Sequence, residues 1–333
     1  MTNLEFGELL LKVYRCVHAI LVWVLMIGVM VGLTPAHAGP AVGQFELKDL
    51  EAEPGKIEFQ SQNAHAFGQP RRKVATDDDG GLIYDDNTVV RQRHALELEA
   101  ALSQFFRMRV GIEYEKERTE EPDALAFANS YEDLKLDEVA VEGVIIFKRI
   151  EDRQGIGFGA LVEVEKPLEK GELSSVVFGP IVEVQSGAWS AVANILLVHS
   201  FGRGEVTDEG RERDNKLDFA YATQIMYEYS PTWAFALEGY GTVDRLGDTG
   251  MPGEERAAFG DHDQHRLGPL VYYRFSAGDN ELSAGVGSDM DGLEVSDSDE
   301  DEGIEGNIGV GVLFGLNNNT PDATLKWSVE LEF

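Results

Sequence analysis

Apolar and polar side chains alternate along most of this chain. In "LKWSVELEF" the residues Leu325, Trp327, Val329, Leu331 and Phe333 share one parity, and Lys326, Ser328, Glu330 and Glu332 share the other. A strand built from them has one apolar face and one polar face. The same period of two runs through "GKIEFQSQN" (Gly55 to Asn63), "RQRHALELEAALS" (Arg91 to Ser103) and "FRMRVGIEYEKER" (Phe106 to Arg118). It returns over 135–148, 155–166, 174–186, 188–201, 216–229, 232–244 and 265–275, and in "GIEGNIGVGVLFGL" (Gly303 to Leu316). These stretches have the length that a tilted strand needs to cross a bilayer, roughly 9–11 residues or a little more.

The connections sort by length. Short ones lie near Ser103, at "KRIEDRQ", "SGA", "SP" and "SAG". Long acidic ones lie between them, over Gln69 to Val89, Thr119 to Leu134, Pro167 to Leu173, Gly202 to Asn215 and Arg245 to Gln264. Short turns on one side and long loops on the other predict an all-β fold, a transmembrane antiparallel up-and-down β-barrel of the Gram-negative outer membrane, with its long loops outside the cell. A soluble sandwich alternates too, but it does not segregate its loops by length or end on an aromatic strand. Both ends of such a barrel are periplasmic, so the strand count is even. "ELSAGVG" (Glu281 to Gly287) is too short to cross, and it leads into the acidic "SDMDGLEVSDSDEDEG". Residues 276–302 are therefore expected to form a periplasmic excursion. Twelve strands remain, with ten or fourteen as the alternatives. The terminal strand is expected to act as the assembly signal read by the barrel-assembly machinery, through Leu325, Trp327, Val329, Leu331 and Phe333.

The other end of the chain adds a leader. Lys12 and Arg15 precede the uncharged run "AILVWVLMIGVMV" (Ala19 to Val31), Gly32 and Pro35 break it, and Ala36 and Ala38 are small. This is the layout of a secretory signal peptide, residues 1–38, cleaved before Gly39. The run is shorter than the roughly 20 apolar residues of a spanning helix. Residues 39–54 then read as a periplasmic N-terminal tail or plug segment, and residues 55–333 as the barrel. Cys16, the only cysteine, leaves with the leader, so disulfides and thiolate metal sites are excluded. Cleavage removes Glu5, Glu8, Lys12 and Arg15, and the charge stays at -32. A surface of that sign repels phosphate backbones, so nucleic acid is not a partner. Outer-membrane lipid, lipopolysaccharide and small solutes are.

Inward parity carries the candidate chemistry. A turn centred on Ser103 faces Glu99 with Arg107, Glu97 with Arg109, Arg93 with Glu113 and Arg91 with Glu115, all opposite in charge. Cross-strand pairs of that kind stabilise an antiparallel ladder. A register shifted by one pair keeps several of the matches. The ladder is read as filling the lumen, and the sharper alternative is a transverse field that orients a solute. Glu138, Glu142, Glu163, Glu165, Glu183, Glu228 and Glu238 make the rest of the wall acidic, along with Asp218, Glu305, Glu330 and Glu332. Lys216, Arg266, Arg274 and Lys326 oppose them. Rings of carboxylates favour cations in a pore. One sector breaks this pattern. Val144, Ile146, Leu161, Val177, Ile181, Val192, Leu196 and Val198 are apolar yet inward. They either bind an apolar solute or pack a plug, for which Phe45, Leu47 and Leu50 are the candidates.

Catalytic and metal signals are thin. His199 and His265 take outward parity on strands that are not neighbours, with no Ser and acid partner at hand, so a triad is not supported. "DHDQH" (Asp261 to His265) reads as a charged loop before it reads as a protease or metal site. "DSDEDEG" spaces Asp297, Asp299 and Asp301 like a calcium loop, but Glu302 stands where that loop needs Gly. No cofactor, catalytic or metal residue is assigned.

"HRLGPLVYYRF" (His265 to Phe275) and "GVLFGLNNNTPDATLKWSVELEF" (Gly311 to Phe333) resemble the closing strands of the outer-membrane barrels grouped with phenol meta-pathway proteins (MetA-type). The acidic insertion before residue 303 departs from that pattern. The resemblance implies a barrel that passes small, apolar molecules and brings no catalytic residue with it. The expected function is a channel or transporter for the passive passage of small solutes. An outer-membrane hydrolase acting on lipid or peptide and a closed structural barrel are the alternatives.

Overall fold

The computed structural model describes residues 45–84, 89–119, 122–168, 173–202, 206–207, 210–211, 215–244, 246, 263–277 and 304–333. The leader with Cys16, residues Asp261 and His262, and the acidic segment 278–303 lie outside them.

Twelve strands form the wall: β1 (Ile57–Phe67), β2 (Val90–Ser103), β3 (Phe106–Glu117), β4 (Lys135–Lys148), β5 (Gln154–Pro167), β6 (Ser174–Ser186), β7 (Trp189–Phe201), β8 (Asn215–Glu228), β9 (Trp233–Val243), β10 (Gln264–Ala277), β11 (Ile304–Gly315) and β12 (Ala323–Glu332). Each pairs antiparallel with its neighbours in sequence, and β1 also pairs with β12, so the sheet closes into a barrel. Closure leaves no sheet edge, which meets the backbone's hydrogen-bonding demand inside a membrane. Two small hairpins, Val74–Thr76 with Leu82–Tyr84 and Val206–Thr207 with Gly210–Arg211, lie in the long connections at one end.

Period-two alternation decides which side chains face out. Leu98, Val110, Ile145, Phe158, Val162, Phe178, Ile195, Ile225, Phe235, Leu237, Val271 and Val310 are exposed on the outer surface, while their sequence neighbours are buried or half-buried on the inner side. At the short-turn end, Trp189 meets Tyr227 with ring centroids 4.8 Å apart, and Trp233 meets Tyr273 at 4.9 Å. Aromatic rings at that level, below an apolar band, are the girdle of a membrane barrel.

The β2–β3 register differs from a turn centred on Ser103. Ser103 pairs with Phe106 across the turn residues Gln104 and Phe105, and Ala101 pairs with Arg107, which leaves Leu102 as a bulge. The extra residue moves the ladder to the register shifted by one pair, so Glu99 faces Arg109 and Arg93 faces Glu115. A second irregularity between Val90 and Gln92 lifts Arg91 out of the ladder. Its guanidinium lies 5.8 Å from the Phe67 ring centroid and 5.7 Å from that of Tyr131.

Candidate functional site

Residues 45–54 precede β1 and join no strand, yet Phe45, Lys48, Leu50 and Ala52 are buried. The partners of the segment, Asp49 included, are inward side chains on β2, β3, β4, β6, β7, β9 and β10. Only the lumen faces all of those strands, so the segment runs inside the barrel. Fully extended, ten residues span roughly 33–36 Å, the thickness of a bilayer core.

Polar contacts hold one side of the segment. Lys48 Nζ lies 2.6 Å from Glu142 Oε2 and 4.0 Å from Glu97 Oε1, and it also meets Glu46. Burial alone would favour the neutral amine, but the carboxylates of Glu142, Glu97 and Glu163 outweigh it and hold Lys48 protonated, above the ordinary lysine value. Arg109 meets Glu46, lies 3.1 Å from Glu97 and lies 2.7 Å from Glu99. Arg107 Nη1 lies 3.0 Å from Asp49 Oδ1 and donates to the Glu51 carbonyl at 3.1 Å, and Nη2 donates to the Asp49 carbonyl at 2.7 Å. Arg107 also lies 3.1 Å from Glu99. These cations therefore bridge strand carboxylates to the segment.

At Lys48 and Leu50 the backbone of the segment is satisfied by side chains rather than by a ladder. Lys48 N–H donates to Asn194 Oδ1 at 2.7 Å, and Asn194 Nδ2 donates back to the Lys48 carbonyl at 2.7 Å. Leu50 N–H donates to Glu183 Oε2 at 3.1 Å. A buried backbone amide needs such partners.

Apolar contacts hold the other side. Leu50 and Ala52 pack with Val144, Ile146, Leu161, Val177, Ile181, Val192, Leu196 and Val198, the inward apolar sector of β4 to β7, and Leu47 lies against the same cluster. Gly159 makes the close approach workable, since a Cβ there would lie 2.5 Å from Leu50 Cδ2. Phe45 seats in a second cluster with Tyr240, Leu270, Tyr272 and Leu313, its ring 5.9 Å edge-on from Tyr240. Period-two reading put none of the strand residues of that second cluster forward, although Tyr240 and Tyr272 share inward parity with Glu238. Asn194 had a signal too, as the one amide among the inward apolar residues of β7.

The remaining expected wall residues fall into separate groups. Arg93 pairs with Glu113, lies 3.1 Å from Glu115 and lies 3.5 Å from Glu138. Ser175 donates its hydroxyl to Glu165, and Glu163 is half-buried beside them in sequence. Glu228 meets Arg274 at 2.9 Å and also pairs with Arg153. Glu238 accepts from Lys326 at 2.7 Å, Gln224 at 2.7 Å and Tyr240 at 2.5 Å, and from Tyr272. On β12, Leu325, Trp327, Val329 and Leu331 take the outward parity, and Phe333 is exposed. The Phe333 N–H donates to the Ile57 carbonyl at 2.9 Å, and the Ile57 N–H donates back at 3.3 Å. His199 faces outward against Phe201, and His265 Nδ1 lies 3.1 Å from the Tyr221 hydroxyl, with β8 and β9 between the two histidines. Among the described residues no group of three His, Cys, Asp or Glu is arranged to hold a metal ion.

No family model matches the sequence, and no curated protein matches it. Solved structures do resemble it. A NanC porin in a rhombohedral crystal form is 7% identical, with 83% of this chain and 98% of that one covered and a TM-score of 0.44. An outer membrane channel from Pseudomonas putida F1 is 10% identical, with 88% and 97% covered and a TM-score of 0.44. A KdgM porin in complex with disordered oligogalacturonate is 6% identical, with 84% and 98% covered and a TM-score of 0.37.

Proposed function

We propose that this chain is an outer-membrane channel for small solutes, closed at rest by its own residues 45–54. The observation that carries the reading is the double grip on Lys48, whose ammonium is taken by Glu142 at 2.6 Å while its backbone is taken on both sides by Asn194. The segment is thereby tied to β4 and β7 across the lumen, by contacts that dissolve without breaking any strand pair. Once it leaves, the acidic wall faces water and favours cations and polar neutral solutes. The apolar sector under Leu50 then becomes a surface for an apolar solute. The outer band contacts lipid, the acidic loops meet lipopolysaccharide through divalent ions, and the terminal strand is read by the barrel-assembly machinery.

The test is single-channel recording of the refolded mature chain, residues 39–333, beside the Leu50→Asp variant, across a potassium chloride gradient. A carboxylate set against Val177, Ile181 and Val198 expels the segment, so the variant should give larger, cation-selective steps than the parent. Equal conductance in the two would remove the segment as a closure. Silence in both would favour a closed structural barrel, the reading that the filled lumen supports next. The hydrolase reading has the least support, because His199 faces outward and His265 is engaged with Tyr221.

A further inference from the structure

Every other lumen cation grouped above has an acid. Arg93, Arg107, Arg109, Lys48, Lys216 and Lys326 each lie within 3.1 Å of a carboxylate oxygen. Arg266 does not. Its side chain is inside the barrel with the residue only 5% exposed, and among the described residues it forms no ion pair with a carboxylate. Nη2 donates to the Gln264 amide oxygen at 2.7 Å, Nε has no partner, and the guanidinium carbon sits 5.1 Å from the Phe45 ring centroid. Glu238, on the facing strand β9, is engaged by Lys326, Gln224, Tyr240 and Tyr272. A buried cation left without an anion is unfavourable, and a ring face compensates it only in part. In a chain with 60 acidic residues and 28 basic ones, an acid was not in short supply.

We infer that Arg266 is an anion subsite of the lumen, and that it binds the carboxylate of a small solute whose planar apolar body takes the place of the Phe45 ring beside Tyr240. Phe45 is then an internal stand-in for the ligand's ring, and the carboxylate is the part it lacks. The guanidinium fork accepts a carboxylate in a bidentate fashion through Nε and a terminal nitrogen, and Nε is the atom left free. The site recognises its ligand against an acidic wall, so a solute of this class would be selected at Arg266 rather than by the general field of the pore. The inference rests on the proposed function only in requiring that the Phe45 slot can be vacated.

The test is calorimetric titration of sodium benzoate into the refolded mature chain in detergent, where no conduction is needed. Phe45→Ala empties the slot and leaves the rest of the segment in place. It should bind benzoate at least ten-fold tighter than the parent. Adding Arg266→Gln should cut that binding at least ten-fold, and benzyl alcohol, with the same ring and no charge, should bind Phe45→Ala at least ten-fold more weakly than benzoate does. If the glutamine variant does not fold, Arg266→Lys keeps the charge without the fork and should weaken binding several-fold. Absence of benzoate binding by Phe45→Ala would overturn the inference, as would equal binding without the guanidinium or equal binding of the alcohol. Because binding is read in detergent, a silent channel that binds benzoate refutes the proposed function alone, and a conducting channel that ignores benzoate refutes the subsite alone.

Discussion

At the scale of single residues, Lys48 ties the segment to the wall through both its ammonium and its backbone. Its ammonium answers Glu142 and Glu46, and Glu97 lies at the limit of contact. Replacing one partner of a buried ion pair leaves the other charged and unpaired, which costs about 3–5 kcal/mol. Lys48→Met should therefore release the segment rather than unfold the barrel, because the strand ladders do not depend on it. Limited proteolysis should cut the variant after residues in 45–54 while the parent resists, and equal resistance would show that Lys48 is dispensable. Glu51 adds a pH dependence. Its carboxylate stays in contact with lumen water, so the like charge of Asp49 comes first in pushing it up to about 7, then burial and Glu183, with Arg274 and Arg107 pulling the other way. In the released segment it returns to its ordinary 4.5. The docked form then holds a proton that the released form lacks over that interval. Docking is firm at acid pH and weakens as the pH rises through it. Conductance at pH 8 should exceed that at pH 5, and Glu51→Gln should flatten the difference; a full difference in the variant would place the switch on other groups.

At the scale of elements, two strands carry the same break. The β6–β7 ladder passes from Phe178 with Leu197 to Ile181 with Asn194, and no pair forms at Gly179 and Pro180. The β10–β11 ladder skips Gly268 and Pro269 in the same way, between Leu267 with Phe314 and Leu270 with Gly311. Proline has no N–H for the ladder on that side. The glycine lets the neighbouring strand come close, since a Cβ on Gly179 would lie 1.9 Å from the Ile195 carbonyl oxygen. Gly179→Val must push β6 off β7, and overpacking of that kind costs about 1–3 kcal/mol. The temperature at which the folded, heat-modifiable band is lost on a gel should fall in the variant; an unchanged temperature would mean that the seam has slack. The twelve strands were legible because alternation and loop length both point to them. The β2–β3 register was not, because the bulge at Leu102 sits in a run with no Gly or Pro to mark it. The inward parity of Val144, Leu161 and Val198 was legible as well. What they touch was not, because a period of two says which side a residue faces and nothing about what it meets there.

At the scale of the whole molecule, the barrel exists only if its first and last strands meet. β1 pairs with β12 from Glu58 with Glu332 to Phe67 with Ala323, and Phe333 adds two backbone hydrogen bonds to Ile57 beyond the last ladder pair. The lumen depends on that closure, since β1 stands between the strand that ends the chain and the segment that fills the interior. Phe333 sits in the seam, and the proposed assembly signal would give its ring a second, separable role. The seam role is small. Phe333→Ala keeps both backbone bonds, and even their complete loss would cost about 1–3 kcal/mol at 0.5–1.5 kcal/mol each, against a ladder that runs through all twelve strands. The purified variant refolded in detergent should thus melt within a few degrees of the parent. The proposed assembly role would be a matter of rate in the cell, not of the stability of the closed barrel. The amount of folded Phe333→Ala recovered from outer membranes should fall many-fold under the same expression. A loss in the cell with no loss on refolding assigns the ring to assembly, whereas equal recovery from membranes would leave Phe333 as nothing more than the end of a strand.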